Sequence, residues 1–269
     1  MQIDNSHILL TGASGGIGRA IAHKLATKGA HLLLVARNAE KLAQLQAELP
    51  HPERHDCLSA DLASAEGLET LRQRAQQDLR DNQRISAVIN NAGSNQFRFL
   101  AQRSSDSIEQ EIRLNLLTPI WITQSALAWL SRPGIILNIG STFGSIGYPG
   151  YASYCAAKAG VHRFSEAMDR ELDGAGVRVL YLAPRATNTE LNSAVVHQMN
   201  QQLGNHSDAP EVVASHVIAM LEKEHTAKWI GWPEKLFARI NQVLPGIVTN
   251  AIRKQQSTIH HYINQISKQ

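Results

Sequence analysis

The sequence predicts an α/β protein: a doubly wound parallel sheet of about seven strands with helices on both faces, followed by C-terminal amphipathic helices. Short apolar runs alternate with longer stretches of helical periodicity, the pattern of repeated βαβ units. A glycine-rich turn, Thr11-Gly12-Ala13-Ser14-Gly15-Gly16-Ile17-Gly18, directly follows the first run. No repeat, low-complexity linker or break in composition precedes about residue 190, so the chain reads as one domain with a distinct C-terminal portion.

In order along the chain, strands are expected at 7–11, 31–36, 57–60, 86–90, 135–139, 178–182 and 228–231. Helices are expected near 17–28, 39–49, 65–80, 105–130, 151–174 and 210–223. Residues 188–210, polar and rich in Asn and Gln, form the longest stretch without a strand and read as a lid. Residues 1–232 are assigned to a dinucleotide-binding and catalytic domain, and 233–269 to a basic amphipathic extension of it.

The 269 residues are 43% hydrophobic and 18% charged, an ordinary globular balance rather than a disordered one. A net charge of +3 is too small for a dedicated nucleic-acid binder unless it is concentrated. It is concentrated in the tail: Lys235, Arg239, Arg253, Lys254 and Lys268 against Glu234 give 233–269 a balance of +4, leaving −1 for residues 1–232. Two cysteines, Cys57 and Cys155, do not make a disulfide framework, and neither a signal peptide nor a membrane span is read, so a cytoplasmic protein is expected.

The glycine turn has two readings. Glycines let the backbone approach a pyrophosphate while the free N–H groups of the next helix face the anion. The same residues fit a nucleophile elbow, Gly12-Ala13-Ser14-Gly15-Gly16, which would make Ser14 the nucleophile of a serine hydrolase. Position favours the phosphate turn, because a hydrolase elbow follows several strands and this one follows the first.

Taken with Asn90-Asn91-Ala92-Gly93, Ser141, and Tyr154-Cys155-Ala156-Ala157-Lys158, the glycine turn resembles that of the short-chain dehydrogenase/reductase family over about residues 5–232. The resemblance implies a Rossmann-type fold and NAD(P)-dependent interconversion of an alcohol and a carbonyl. Tyr154 and Lys158 share a helix face at i, i+4, about 5–6 Å apart. The ammonium is expected to favour the phenolate, and acting as acid and base near neutral pH requires the Tyr154 pKa to fall by roughly 2–3 units, which this cation and the positive charge of an oxidised nicotinamide can supply together. By the resemblance, Lys158 also holds the nicotinamide ribose and Ser141 binds the substrate oxygen, with Thr142 as the rival hydroxyl and loop capping as the plainer role for Ser141. Asn115 lies in a helical pattern four residues before Pro119, which has no N–H for the Asn115 carbonyl. The helix should bend there, and the freed carbonyl matches the family's asparagine, which supports a proton relay. Asn115, Ser141, Tyr154 and Lys158 are the expected tetrad.

The remaining cofactor contacts follow from the same resemblance: Gly12, Ser14, Gly16, Ile17 and Gly18 in the turn; Asp61 and Leu62 at the adenine; Asn90, Ala92 and Gly93; and Pro184, Thr187 and Thr189 near the carboxamide. A helix N-cap is the plainer role for Asp61. At the tip of strand two, Ala36 stands where NAD-specific sites carry an acid and Arg37 follows, which predicts NADP(H). Gly15 is the contrary point, since many NADP-type relatives carry a second basic residue there. Arg185 replaces the family's glycine after Pro184 and reads either as a cation near the substrate entrance or as a solvated side chain.

Residues 94–97, 143–149 and 189–210 are the candidate substrate walls, mixed in polarity and without a charge cluster. A small-molecule carbonyl or alcohol, apolar or lipid-like, is the expected substrate; a noncatalytic NADP-binding regulator is the runner-up. In the tail, Leu236, Phe237, Ile240, Val243 and Leu244 form one stripe, Pro245-Gly246 breaks it, and Ile247, Val248, Ala251 and Ile252 form a shorter second one. Three readings stay open for it: packing on the domain or over the cleft, a dimer contact, or docking on an anionic membrane surface. A homodimer or homotetramer through the helices near 105–130 and 151–174 is the family expectation. No metal site is read; His260-His261 is taken as surface polar.

Overall fold

The computed structural model describes residues 1–232 and 234–266; Pro233 and residues 267–269, which include Lys268 and the outer limits of the expected extension, lie outside the described residues. Strands β1 (His7–Thr11), β2 (His31–Ala36), β3 (His55–Ser59), β4 (Ala87–Asn90), β5 (Gly134–Ile139), β6 (Val177–Ala183) and β7 (Ala227–Trp229) form one parallel sheet in the order β3-β2-β1-β4-β5-β6-β7. β1 and β2 match their apolar runs residue for residue. β3 starts two residues earlier than expected because His55 is buried, its ring accepting from the Leu32 N–H at 3.3 Å.

Successive strand residues alternate between two cores. Ile8, Leu10, Leu32, Leu34, Ile135 and Leu137 meet helices α1 (Gly16–Thr27), α2 (Ala39–Glu48) and α8 (Pro210–Lys223) on one face. Leu9, Leu33, Val88 and Ile136 meet α3 (Ala65–Arg80) and α5 (Thr118–Ala126) on the other. Each fully buried Leu or Ile contributes roughly 2 kcal/mol, so both layers are held by the same term. Side chains cap several helix starts: Asn38 accepts from Lys41 N, Ser64 from Gly67 N, and Ser104 from Ser107 N at the start of α4 (Ser105–Ile112). Ser64, not Asp61, therefore caps α3.

Strand order reverses between β1 and β4, and this opens a crevice at the carboxyl ends of the strands. Three elements beside it differ from expectation. The single helix foreseen over 105–130 is α4, a wide π turn at Arg113–Leu117, and α5; the Thr118 N–H reaches back five residues to Arg113 O, so the backbone widens just before Pro119. The 188–210 stretch contains a helix, α7 (Ala194–Gln202), capped by Ser193 and burying Val196 and Met199. The tail forms α9 (Glu234–Val243) and α10 (Pro245–Ile266), and α10 runs far beyond the short stripe expected because Ile259 and Ile263 are wholly buried against the cluster of Phe97, Tyr151 and Val196. Pro245 ends one helix and begins the next, where its missing N–H is not needed. The helix α6 (Ala152–Glu171) crosses between this cluster and the sheet, its Tyr154 in the cluster and its Met168 against the layer of α3 and α5.

Candidate active site

At the crevice, the turn after β1 is latched to the turn after β4. Gly12 has φ +63°, and a Cβ there would lie 2.8 Å from Ala92 Cα. The Asn91 amide donates to the carbonyls of Thr11 and Gly12 at 3.1 Å, while Thr11 Oγ1 accepts from the N–H groups of Asn91 and Ala92 at 3.0 Å. The first turn of α1 holds no acid and no side chain caps it, which leaves its positive end facing the cleft. Asn91 is a functional residue the sequence reading passed over for Asn90. The Asn90 side chain is committed elsewhere, donating to Asn138 Oδ1 at 2.8 Å inside the sheet, and Asn90 does not line the cleft.

The other expected residues converge. Gly12, Ser14, Gly16, Ile17, Gly18, Arg37, Asp61, Leu62, Ala92, Gly93, Asn115, Ser141, Tyr154, Lys158, Pro184, Thr187 and Thr189 all line one cleft of about 690 Å³. At one end, Arg37 is exposed at the tip of β2 beside Ser14 and Asn38. Lys41, one helical turn on, lines the same wall, its only ion pair among the described residues being a 3.9 Å contact with the almost fully exposed Glu190. This second cation was readable as an i, i+4 neighbour of Arg37; it stands on α2 rather than in the glycine turn. Asp61 Oδ1 accepts from Ala63 N at 3.1 Å and still borders the cleft. Among the described residues no histidine hydrogen-bonds to Ser14, the contact a serine hydrolase's general base would make.

In the middle of the cleft, α6 carries Tyr154 and Lys158. Burial pushes the Tyr154 phenol up to about 12, with its hydrogen bond from Ser141 pulling the other way. The expected downward shift is thus not produced by the chain's own groups: Lys158 Nζ sits 5.7 Å from the centre of the Tyr154 ring and donates to Ile139 O at 3.0 Å. Burial takes the Lys158 ammonium down to about 8. Ser141 takes the capping role, closing the turn at Thr142–Gly144 by accepting from Phe143 N at 3.1 Å, and it also bonds to Tyr154. Behind it Tyr181, fully buried, brackets the Ser141 backbone: its hydroxyl accepts from Ser141 N at 3.4 Å and donates to Ser141 O at 3.3 Å.

Asn115 sits in the π turn, fully buried, its amide donating to Ser94 O at 2.7 Å and Glu111 O at 2.9 Å. Its Oδ1 is buried with no partner. A Cβ on Gly93 would lie 2.8 Å from that oxygen and 3.7 Å from Lys158 Nζ, so the two polar groups flank a backbone with no side chain between them. Under α4, Glu111 is buried with Arg103 at 2.7 Å and also takes Ser153, next to Tyr154 in sequence.

The far end of the cleft is aromatic and apolar. Phe143 stacks on Tyr148 at 4.9 Å and lies 5.2 Å from Tyr151, with Val196 and Met199 of α7 and Val248 and Ile252 of α10 completing the wall. The Tyr148 hydroxyl is buried without a partner and its pKa is pushed up to about 12 by burial. Arg185 is neither solvated nor free at the entrance. Its guanidinium binds Asp208 at 2.8 Å and Glu234 at 3.2 Å, tying the segment after β6 to the residues just before α8 and to the first residue of α9. His260 packs edge-on against Phe99 at 4.9 Å.

The chain matches the family described as short chain dehydrogenase over residues 6–200. A 3-oxoacyl-[acyl-carrier-protein] reductase of Haemophilus influenzae is 32% identical over 75% of this chain and 81% of its own. A solved short-chain dehydrogenase from Burkholderia cenocepacia, in complex with NADP, shares the fold with a TM-score of 0.76 at 21% identity, over 94% of this chain and 99% of that one. One from Sphingobium yanoikuyae, in complex with NADPH, does so with a TM-score of 0.73 at 26% identity, over 91% and 95%.

Proposed function

This chain belongs to the short-chain dehydrogenase/reductase family, and from that premise we propose that it is an NADP(H)-dependent oxidoreductase interconverting a carbonyl and an alcohol. The observation that carries this reading is the junction of Ser141 and Tyr154 in the cleft, with Lys158 and Asn115 flanking Gly93. The bound nicotinamide would supply or accept the hydride. The cleft suits such a group: a bare helix N-terminus for the pyrophosphate at one point, and the unpartnered Asn115 Oδ1 at another.

In reduction, Ser141 Oγ and the Tyr154 hydroxyl hydrogen-bond the carbonyl oxygen, and Tyr154 gives it a proton as charge develops there. A phenol with a pKa pushed up to about 12 keeps that proton near neutral pH. For the reverse reaction it must lose it, and the Lys158 ammonium, charged below about pH 8, is the cation that stabilises the phenolate. Asn115 holds the route by which the proton is replaced. Arg37 and Lys41 would hold the 2′-phosphate that distinguishes NADP(H), and no acid borders that corner from β2 to repel it. The aromatic and apolar wall favours an apolar ketone, an aldehyde or a 3-oxoacyl compound, the last being what the name of the Haemophilus influenzae relative specifies for that protein.

The test is a panel of aldehydes, ketones, 3-oxoacyl thioesters and sterols, followed by NADPH absorbance with Tyr154→Phe as the blank. Turnover of one class by the wild type alone supports the reading. Tight NADPH binding without turnover of any class would make the protein a binder, and equal rates with NADH would remove the 2′-phosphate assignment.

A further inference from the structure

Helix α9 is amphipathic in sequence, and such a helix normally turns its apolar face to the domain. Here it does so only in part: Phe237 borders the cleft and Ile240 is half-buried, but Leu236, Val243 and Leu244 face outward. Ala238 is buried and Asn241 donates to Ser145 O at 2.9 Å, so the small and polar side meets the domain. Leu236 is 41% exposed, Val243 77%, Leu244 56% and Ile247 52%. The corner between α9 and α10, residues 242–247, is a run of six consecutive exposed residues, four of them Val243, Leu244, Pro245 and Ile247.

What surrounds this patch says what covers it. Lys235 and Arg239 on α9, and Arg253 and Lys254 on α10, are exposed, and residues 235–269 contain no Asp or Glu. Glu234, the last acid before them, is taken by Arg185. A second copy packed on the patch by two-fold symmetry would bring two acid-free basic surfaces together, whereas an anionic lipid surface complements both the charge and the apolar corner. Among the described residues no helix is long and apolar enough to cross a membrane, so the contact is with one leaflet.

We infer that the α9–α10 hairpin docks this protein on an anionic bilayer, with the 243–247 corner inserted among the headgroups and the basic residues around it on lipid phosphates. The same hairpin borders the cleft, through Phe237 on α9 and Val248 and Ile252 on α10. Docking therefore brings the apolar end of the cleft to the lipid, and delivery of an apolar substrate from the bilayer rests on the oxidoreductase reading; docking itself does not.

The test is sedimentation of the full chain with sucrose-loaded vesicles of phosphatidylcholine alone, or of phosphatidylcholine with phosphatidylglycerol at about 7:3, in low and high salt. The wild type should pellet with the anionic vesicles and be released by salt. Lys235→Gln with Lys254→Gln should weaken partitioning about thirtyfold, each cation being worth about fivefold near such a surface. Leu244→Asp should abolish it, with circular dichroism and NADPH binding unchanged. Equal partitioning of the wild type onto both vesicle types, or undiminished pelleting of Leu244→Asp, would overturn the inference. So would a wild-type dimer in light scattering that Leu244→Asp dissociates, since a second copy would then cover the patch. Because the readout is binding without substrate, an inactive but docking protein would fault only the catalytic reading.

Discussion

The two ends of the cleft are built on different principles. The end at the glycine turn is made largely of backbone: the β1 and β4 turns latch through Thr11 and Asn91, and α1 presents an uncapped N-terminus. The apolar end is made of side chains from segments far apart in the chain, Phe143 and Tyr148 before α6, Val196 on α7 and Ile252 on α10. Backbone geometry at the first end depends on a few residues in fixed local order, and it tolerates little change. The second end can be refitted by altering any one segment, which is where a fold shared by many chains sets its own selectivity.

The largest effect that separates the two ends is Tyr154→Phe. It removes the proton donor and should lower kcat/KM by about 10²–10⁴, with NADPH binding, read by fluorescence, nearly unchanged. Loss of NADPH binding as well would mean that the ends are not separable. Next is the corner holding Arg37 and Lys41. Arg37→Ala should raise KM for NADPH by roughly 10–100-fold and leave that for NADH alone, since a hydrogen bond to a charged group is worth about 1.5–3 kcal/mol. Lys41→Ala should do the same more weakly, since an ammonium lacks the bidentate fork that a guanidinium offers a phosphate.

Lys158 links the ends and has a pH signature. Its folded pKa is lowered from 10.5 to about 8 by burial, so the unfolded chain binds more protons and wild-type stability should rise with pH between about 8 and 10.5. Below that window the buried charge costs about 3 kcal/mol, part of which is offset by the bond to Ile139 O. Lys158→Met should therefore be inactive yet more stable than wild type by about 1–2 kcal/mol at pH 7 in urea unfolding, the gain shrinking toward pH 10. Reductase activity of the wild type should fall above about pH 8 as this proton is lost. The smallest effect belongs to the apolar end. Tyr148→Phe removes an unpartnered buried hydroxyl, so stability should hold or rise slightly. Any change in KM beyond about threefold for a substrate with a second polar group would show that the hydroxyl reads that group.

What the sequence disclosed follows the same division. β1, β2, the glycine turn and the Tyr154–Lys158 pair are local patterns, and each lies where its spacing predicts. The partners of Arg185 are not local: Asp208 is 23 residues away and Glu234 is 49, and no periodicity connects them. An apolar stripe states which side of α9 is greasy and not what that side meets, so its partly outward orientation was hidden. The chain's own effect on the Tyr154 phenol was hidden for a related reason. Spacing brings an ammonium near the ring, but burial, which spacing does not report, raises the phenol.

Arg185 also bears on how such a chain could be recombined. In place of a glycine it puts one cation where three segments meet, so the tail is not an independent module that can be exchanged with another chain's. A chimera that keeps Arg185 but lacks an acid at 234 would leave that guanidinium with Asp208 alone, and one that keeps Glu234 but restores glycine at 185 would leave a half-buried carboxylate without its cation. The α7–α8 connection, the tail and the turn after β6 would have to be inherited together.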